Sequence, residues 1–159
     1  MKNEKLIVIL GCTATGKTNV AVNLANQING EVISADSRQV YRGMDVGTGK
    51  DLSEFTIEGK AIPYHLIDIV EAGSEYNVFN CQNDFLTAYQ GIQERGNQAI
   101  LCGGTGMYLE AVLKGYRMIK VPKNEALRAS FENKTNEELV EVLSKDNTLH
   151  NTTDSVERE

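Results

Sequence analysis

Residues 11–18 read Gly11-Cys12-Thr13-Ala14-Thr15-Gly16-Lys17-Thr18, a complete G-x-x-x-x-G-K-[ST] pattern, and no other segment constrains the fold so tightly. The pattern gains its weight from its flanks. Before it, Leu6-Ile7-Val8-Ile9-Leu10 is a continuous aliphatic run, expected as a strand buried on both faces of a parallel sheet. After it, Val20, Ala21, Leu24, Ala25 and Ile28 fall at helical spacing over residues 17–28, with Gly30 placed to cap the helix. A strand, a glycine-bearing turn and a helix in this order aim successive backbone N–H groups at a phosphate chain. Gly11 and Gly16 let the backbone turn back and the helix adds its positive end. Lys17 supplies a mobile charge, and the Thr18 hydroxyl is a ligand for Mg2+.

The remaining chain repeats the alternation of strand and helix. Residues 31–34 read as a second short strand ending at Ala35-Asp36-Ser37, and His65-Leu66-Ile67-Asp68-Ile69 as another after Pro63. Between them, residues 42–62 are rich in glycine and charge without a period, the mark of a long surface excursion of the kind that carries function. Residues 78–95 read as an amphipathic helix burying Phe79, Phe85, Leu86, Tyr89 and Ile92. Gly96 stops it, and a strand over residues 98–102 runs into Gly103-Gly104-Thr105-Gly106 and a helix over 107–113. This order predicts right-handed βαβ units and an α/β fold, a doubly wound, mainly parallel sheet flanked by helices. Residues 11–18, 36–39 and 103–106 each follow a strand, so they converge where ligands of such sheets bind. The expected division is a phosphate-binding core over 1–119 and a charged helical extension over 120–159, with helices around 124–131 and 136–143.

Bulk properties narrow the function classes. With 159 residues, 41% of them hydrophobic, the chain has the size of one compact domain. A net charge of −6 gives no overall field toward nucleic acid or anionic membrane, so a polyanion partner needs a local basic patch. Cys12, Cys81 and Cys102 are an odd number without metal-ligand spacing, which points to a reducing compartment. The opening apolar run is too short for a signal core or a membrane span, so a cytoplasmic location without a membrane partner is expected.

The phosphate loop by itself serves kinases, NTPases and group-transfer enzymes with a diphosphate leaving group equally well. Further motifs separate them. Ile33-Ser34-Ala35-Asp36-Ser37-Arg38-Gln39-Val40-Tyr41-Arg42-Gly43-Met44-Asp45-Val46-Gly47-Thr48 is followed by Tyr64-His65-Leu66-Ile67-Asp68 and by Gly103-Gly104-Thr105-Gly106-Met107-Tyr108. In this order, from the loop to about Gly115, the chain resembles the tRNA dimethylallyltransferases. Weaker similarity runs on through Pro122, Leu127-Arg128 and the region of Asp154.

The resemblance implies transfer of the dimethylallyl group from dimethylallyl diphosphate to the exocyclic amine of the adenine beside a tRNA anticodon. Gly11, Cys12, Thr13, Ala14, Thr15, Gly16, Lys17 and Thr18 would then cradle diphosphate, with Mg2+ at Thr18. A diphosphate leaving group needs that charge neutralised as its carbon–oxygen bond breaks. Asp36 matches the family's general base; on the residues alone it reads equally as a helix N-cap. Thr105 matches a threonine that hydrogen-bonds the diphosphate, and capping the next helix is a compatible role. Asp36, Ser37, Arg38 and Gln39 match the segment that touches the tRNA, while His65 and Asp68 read as mainly structural. Asp45 and Thr48 lie in the excursion that closes over the site.

Members of that family run to about twice this length, and the region absent here is the helical part that grips tRNA. The expectation is therefore a truncated member with an intact diphosphate pocket and impaired tRNA modification. Three other readings stay open at this point. They are an adenylate isopentenyltransferase acting on free AMP, ADP or ATP, a small P-loop kinase or NTPase, and a non-catalytic diphosphate-binding remnant.

Overall fold

The structure is a computed structural model that describes residues 5–146. The chain divides after Ile119 into two compact units. The first runs through β1 (Ile7–Leu10), α1 (Lys17–Ile28), β2 (Gly30–Ala35), a short 3-10 turn (Leu52–Phe55) and the hairpin β3 (Thr56–Ile57) and β4 (Lys60–Ala61). It continues with β5 (Tyr64–His65), α2 (Val78–Glu94), β6 (Gln98–Gly103) and α3 (Gly106–Lys114). β1, β6, β2 and β5 form one sheet in that spatial order, with every pair parallel.

Adjacent residues of a strand face opposite sides, and here both sides are covered. Ile33, Ala35 and Leu101 pack with Phe85, Ile92, Tyr108 and Leu109 of α2 and α3. Val32, Ile100 and Cys102 pack with Ala21, Val22 and Ala25 of α1, joined by Phe55, Ile62 and Ile67. Two cores on one sheet make the doubly wound α/β architecture that the alternation predicts. Register places Gly103 beside both Leu10 and Ala35, so the ends of β1, β6 and β2 lie together.

Several local expectations are corrected. β1 is half-buried and Leu10 is 66% exposed, because among the described residues the strand has a neighbour on one side only. α1 ends at Asn29, left-handed at φ 53°, and its backbone N–H bonds Ala25 O. Gly30 instead opens β2, where an added Cβ would lie 3.1 Å from Gln98 O and 3.2 Å from Ala25 Cα. The buried stripe of α1 takes in Val22 and leaves Val20 and Ile28 exposed, while α2 buries Cys81 and exposes Leu86. The 65–69 run is not a strand throughout: β5 stops at His65, and Leu66 and Asp68 turn the chain at φ 64° and 54°. The 42–62 excursion is partly ordered, its short turn and hairpin burying Phe55 and Ile62 on the α1 side.

At the sheet end away from the phosphate loop, Glu31 is buried yet charged. Arg95 donates to it from Nε and Nη2, both at 2.8 Å, Asn97 from Nδ2 at 2.7 Å, and His65 Nε2 lies 2.7 Å away. The Arg95 bonds outweigh the cost of burial and hold its carboxyl at about 2 instead of 4.5. β2, β5 and the end of α2 are thereby pinned at one point.

The second unit holds α4 (Glu125–Phe131) and α5 (Asn136–Asp146). Asn124 caps α4 by accepting from Leu127 N at 3.0 Å. Thr135 and Glu138 form a reciprocal capping box at the start of α5. The stretch 151–159, read as the start of a tRNA-contacting segment, lies outside the described residues.

Candidate active site

The phosphate loop leaves β1 and enters α1 through two left-handed residues, Ala14 at φ 62° and Gly16 at φ 80°. Gly11 is not one of them. An alanine held in that region is strained, and such strain gathers at ligand-binding turns. Gly16 stands at the N-cap of α1 without a side-chain cap, and the first turn of the helix carries no acidic residue. The orphan amides of that turn are thus left to a ligand, and the helix end favours an anion. Thr15 Oγ1 donates to Cys12 O at 2.8 Å, which folds this side chain into the loop, and Lys17 Nζ bonds the same carbonyl.

The next wall comes from the ends of β2 and β6. Asp36 Oδ1 accepts from Arg38 N at 2.9 Å and lies 3.7 Å from Arg38 Nε; Oδ2 accepts no bond among the described residues. The side chain turns a bend and caps no α-helix. Thr105 is the N-cap residue of α3, but its hydroxyl does not cap that helix. It accepts from Ser37 N at 3.0 Å, while Thr105 N donates to Ala35 O at 3.2 Å. Its own proton points to Ser37 Oγ at 3.5 Å, a long bond that a better acceptor in the cleft can replace.

Residues 42–49 form a strap along the third side. Gln39 joins it to the sheet: its Oε1 accepts from Ser34 Oγ at 2.9 Å and its Nε2 donates to Gly49 O at 3.2 Å. Arg38 Nη1 lies 3.5 Å from Gly47 O, and buried Thr48 donates to Met44 O at 2.8 Å. Lys50, with a side chain only 1% exposed, ends the strap between Asp45 and Asp68.

Loop, strand ends and strap enclose a cleft of about 520 Å³. Thr13, Ala14, Gly16, Lys17 and Thr18 line one side; Asp36, Arg38, Gln39 and Thr105 line another. Asp45 and Thr48 line it too, as the excursion suggested. Gly11, Cys12, Thr15 and Ser37 shape these walls without lining the cleft. Sequence reasoning missed Ser34, Lys50, Phe55 and Cys102, all of which do line it. Burial pushes the Cys102 thiol up to about 11, so that wall is a neutral sulfur and not a nucleophile.

A left-handed glycine-bearing turn over an uncapped helix, at the strand ends of a doubly wound sheet, defines a P-loop α/β protein. Its cleft has the phosphate loop on one wall and the Asp36 carboxylate on another. A family model described as IPP transferase matches residues 39–158, and one described as isopentenyl transferase matches residues 4–64. The chain belongs to the IPP transferase family.

Among its relatives, tRNA dimethylallyltransferase 2 of Bacteroides fragilis is 60% identical over 154 residues, 97% of this chain and 50% of that protein. tRNA dimethylallyltransferase 1 of Parabacteroides distasonis is 58% identical over the same shares. The crystal structure of the full-length tRNA isopentenylpyrophosphate transferase of Bacillus halodurans is similar at TM-score 0.68 and 37% identity, over 98% of this chain and 51% of that one. A eukaryotic dimethylallyltransferase acting on tRNA is similar at TM-score 0.73 and 28% identity, over 89% and 36%. The chain spans about half the length of the curated relatives it matches. Among the described residues no helix is long and apolar enough to cross a membrane.

Proposed function

We propose that the first unit carries the diphosphate cradle and the base of a tRNA dimethylallyltransferase, with dimethylallyl diphosphate as donor and tRNA as acceptor in the cytoplasm. The observation that carries this reading is that the phosphate loop, Asp36 and Thr105 line one cleft. In this division residues 1–119 are the diphosphate-binding core and 120–159 a helical extension.

The loop amides and Lys17 bind the diphosphate and take up negative charge as the carbon–oxygen bond breaks. Thr105 exchanges its long bond to Ser37 Oγ for one donated to a diphosphate oxygen. The exocyclic amine of the acceptor adenine forms the new carbon–nitrogen bond, and Asp36 accepts the proton that the amine releases. Ser37, Arg38 and Gln39 flank that carboxylate, with Arg38 and Gln39 in the cleft wall for the acceptor and Ser37 behind it. Gln39 stands there with its carbonyl and one amide hydrogen already committed to Ser34 and Gly49.

Magnesium fits the residues present. Among the described residues no cluster of three or more His, Cys, Asp or Glu side chains forms a cage, and magnesium needs none when phosphate oxygens and water complete its shell. Thr18, in the first turn of α1 and in the cleft wall, would hold it. The ion would supply charge neutralisation to the diphosphate.

The test is transfer of radiolabelled dimethylallyl diphosphate to unmodified tRNA, with AMP and ATP as parallel acceptors and Asp36→Asn as control. Label on tRNA, falling about 10²- to 10⁴-fold in the variant, is the expected result. Label on free nucleotide instead would move the acceptor assignment to adenylate, and label on nothing would sink the catalytic reading.

A further inference from the structure

The ammonium of Lys50 has a complete set of acceptors from three separate segments. It donates to Tyr41 O at 2.8 Å, meets Asp45 Oδ1 at 2.9 Å, and bonds Asp68 Oδ1. An ammonium has three donors, so all are committed. Burial alone would favour the neutral amine, but the bonds to Asp68 and Asp45 outweigh it and raise its pKa above the ordinary lysine value.

The three partners do different jobs. Tyr41 closes the turn that carries residues 36–39 and is bridged to Val70. Asp45 stands at the crest of the strap beside Val46, which is 98% exposed. Asp68 donates its backbone N–H to Gln39 O at 3.0 Å and accepts from Arg42 Nε at 2.8 Å through its own carbonyl. Gly43, Gly47 and Gly49 all sit at positive φ, so the strap changes direction three times within seven residues and has no regular backbone ladder. Arg42 anchors the start of the strap to Val70 O, Asp68 O and Glu71, whereas beyond it the ties other than Lys50 are the bonds from Gln39 to Gly49 and from Arg38 to Gly47, one of them at 3.5 Å.

We infer that Lys50 is a positioning residue: it clamps the 42–49 strap to the 68–70 turn and so fixes Arg38 and Gln39 for the acceptor, without taking part in diphosphate binding. The inference rests on the prenyl-transfer reading for the identity of the acceptor, not for the clamp. The cradle is built from β1, α1 and the turn after β6, and although Lys50 lines the same cleft its ammonium bonds none of them. Loss of the clamp therefore weakens one half of the site and spares the other.

Native-state proteolysis with thermolysin, which cuts before apolar residues, reads the strap directly at Met44 and Val46. Lys50→Met is expected to speed these cuts at least tenfold, while pyrophosphate affinity in the presence of magnesium stays within twofold. In the transfer assay the same variant is expected to raise KM for tRNA about tenfold and to leave KM for the donor unchanged. The double variant Lys50→Met/Asp68→Asn removes the stranded carboxylate and is expected to stay as cleavable as the single one. Unchanged cleavage in Lys50→Met would overturn the inference, as would a parallel loss of pyrophosphate affinity. Restored protection in the double variant would also overturn it, by showing that Lys50 only compensates charge. A parent chain that transfers no prenyl group counts against the proposed function, and the cleavage and pyrophosphate measurements still decide the clamp.

Discussion

Replacing Glu31 by glutamine keeps the shape of the buried cluster and removes its charge, and the consequence can be worked out with its sign. The carboxyl is lowered in the fold from 4.5 to about 2. A group lowered in this way contributes stability that is fully present above pH 4.5 and is lost as pH falls toward about 2. At about 1.4 kcal/mol per decade the contribution is about 3 kcal/mol, an upper figure because the Arg95 side chain is half exposed and screened by water. Urea unfolding, followed through the near-ultraviolet signal of buried Tyr108 and its neighbour Tyr76, measures it. With a urea slope of about 1.5 to 2 kcal/mol/M, the midpoint of Glu31→Gln should lie about 1.5 to 2 M below the parent at pH 7. The gap should narrow steadily below pH 4.5 and close near pH 2, since the parent then carries a neutral carboxyl as well. Other carboxylates titrate in the same range, but they do so in both proteins and cancel in the difference. A gap equal at pH 7 and pH 3 would refute the claim that Arg95, Asn97 and His65 hold this carboxyl ionised.

The cradle and its supports give further expectations. Lys17→Met should weaken pyrophosphate binding about 10- to 100-fold, the range for losing a hydrogen bond to a charged group, and calorimetric titration checks it. Gly103→Ala would place a Cβ 2.3 Å from Ala35 O, so the β2 and β6 ends must separate by about 1 Å. A cost of about 1 to 3 kcal/mol follows, read as a fall of about 3 to 10 °C in Tm, and a variant as stable as its parent would contradict that packing.

The sequence and structure agree where a local rule governs. α1 begins and ends where the apolar spacing of residues 17–28 places it, and α2 likewise follows its amphipathic period. The phosphate loop was legible because its demands are backbone demands, met by a short fixed pattern. Legibility failed where the deciding partner lies far along the chain. Glu31 sits in an apolar strand run and finds its partners 34, 64 and 66 residues away. Lys50 lies in a glycine-rich stretch with no period, and its meaning depends on Asp68, 18 residues on. Leu10 misled for the opposite reason: an aliphatic run reads as buried on both faces, whereas burial depends on which strands flank it.

The spacing of the phosphate loop from Asp36 is itself a product of strand order. β6 lies between β1, which delivers the phosphate loop, and β2, which delivers Asp36. The distance across the cleft is therefore set by whatever occupies the end of β6, and two glycines stand there. A Cβ on Gly103 would meet the backbone of Ala35, and one on Gly104 would lie 3.0 Å from Gly11 O and 3.9 Å from Lys17 Nζ. Each glycine thus lets one neighbour approach to backbone contact, Gly103 toward the carboxylate side and Gly104 toward the phosphate side. Thr105 then locks the closed spacing, bonding Ala35 O through its amide and Ser37 N through its hydroxyl. A misplacement of about 1 Å is enough to cost a reaction about two orders of magnitude. A side chain at 103, which meets Ala35 on the Asp36 side, should accordingly harm transfer more than pyrophosphate binding, whereas one at 104, which meets Gly11 and Lys17 of the loop, should harm both.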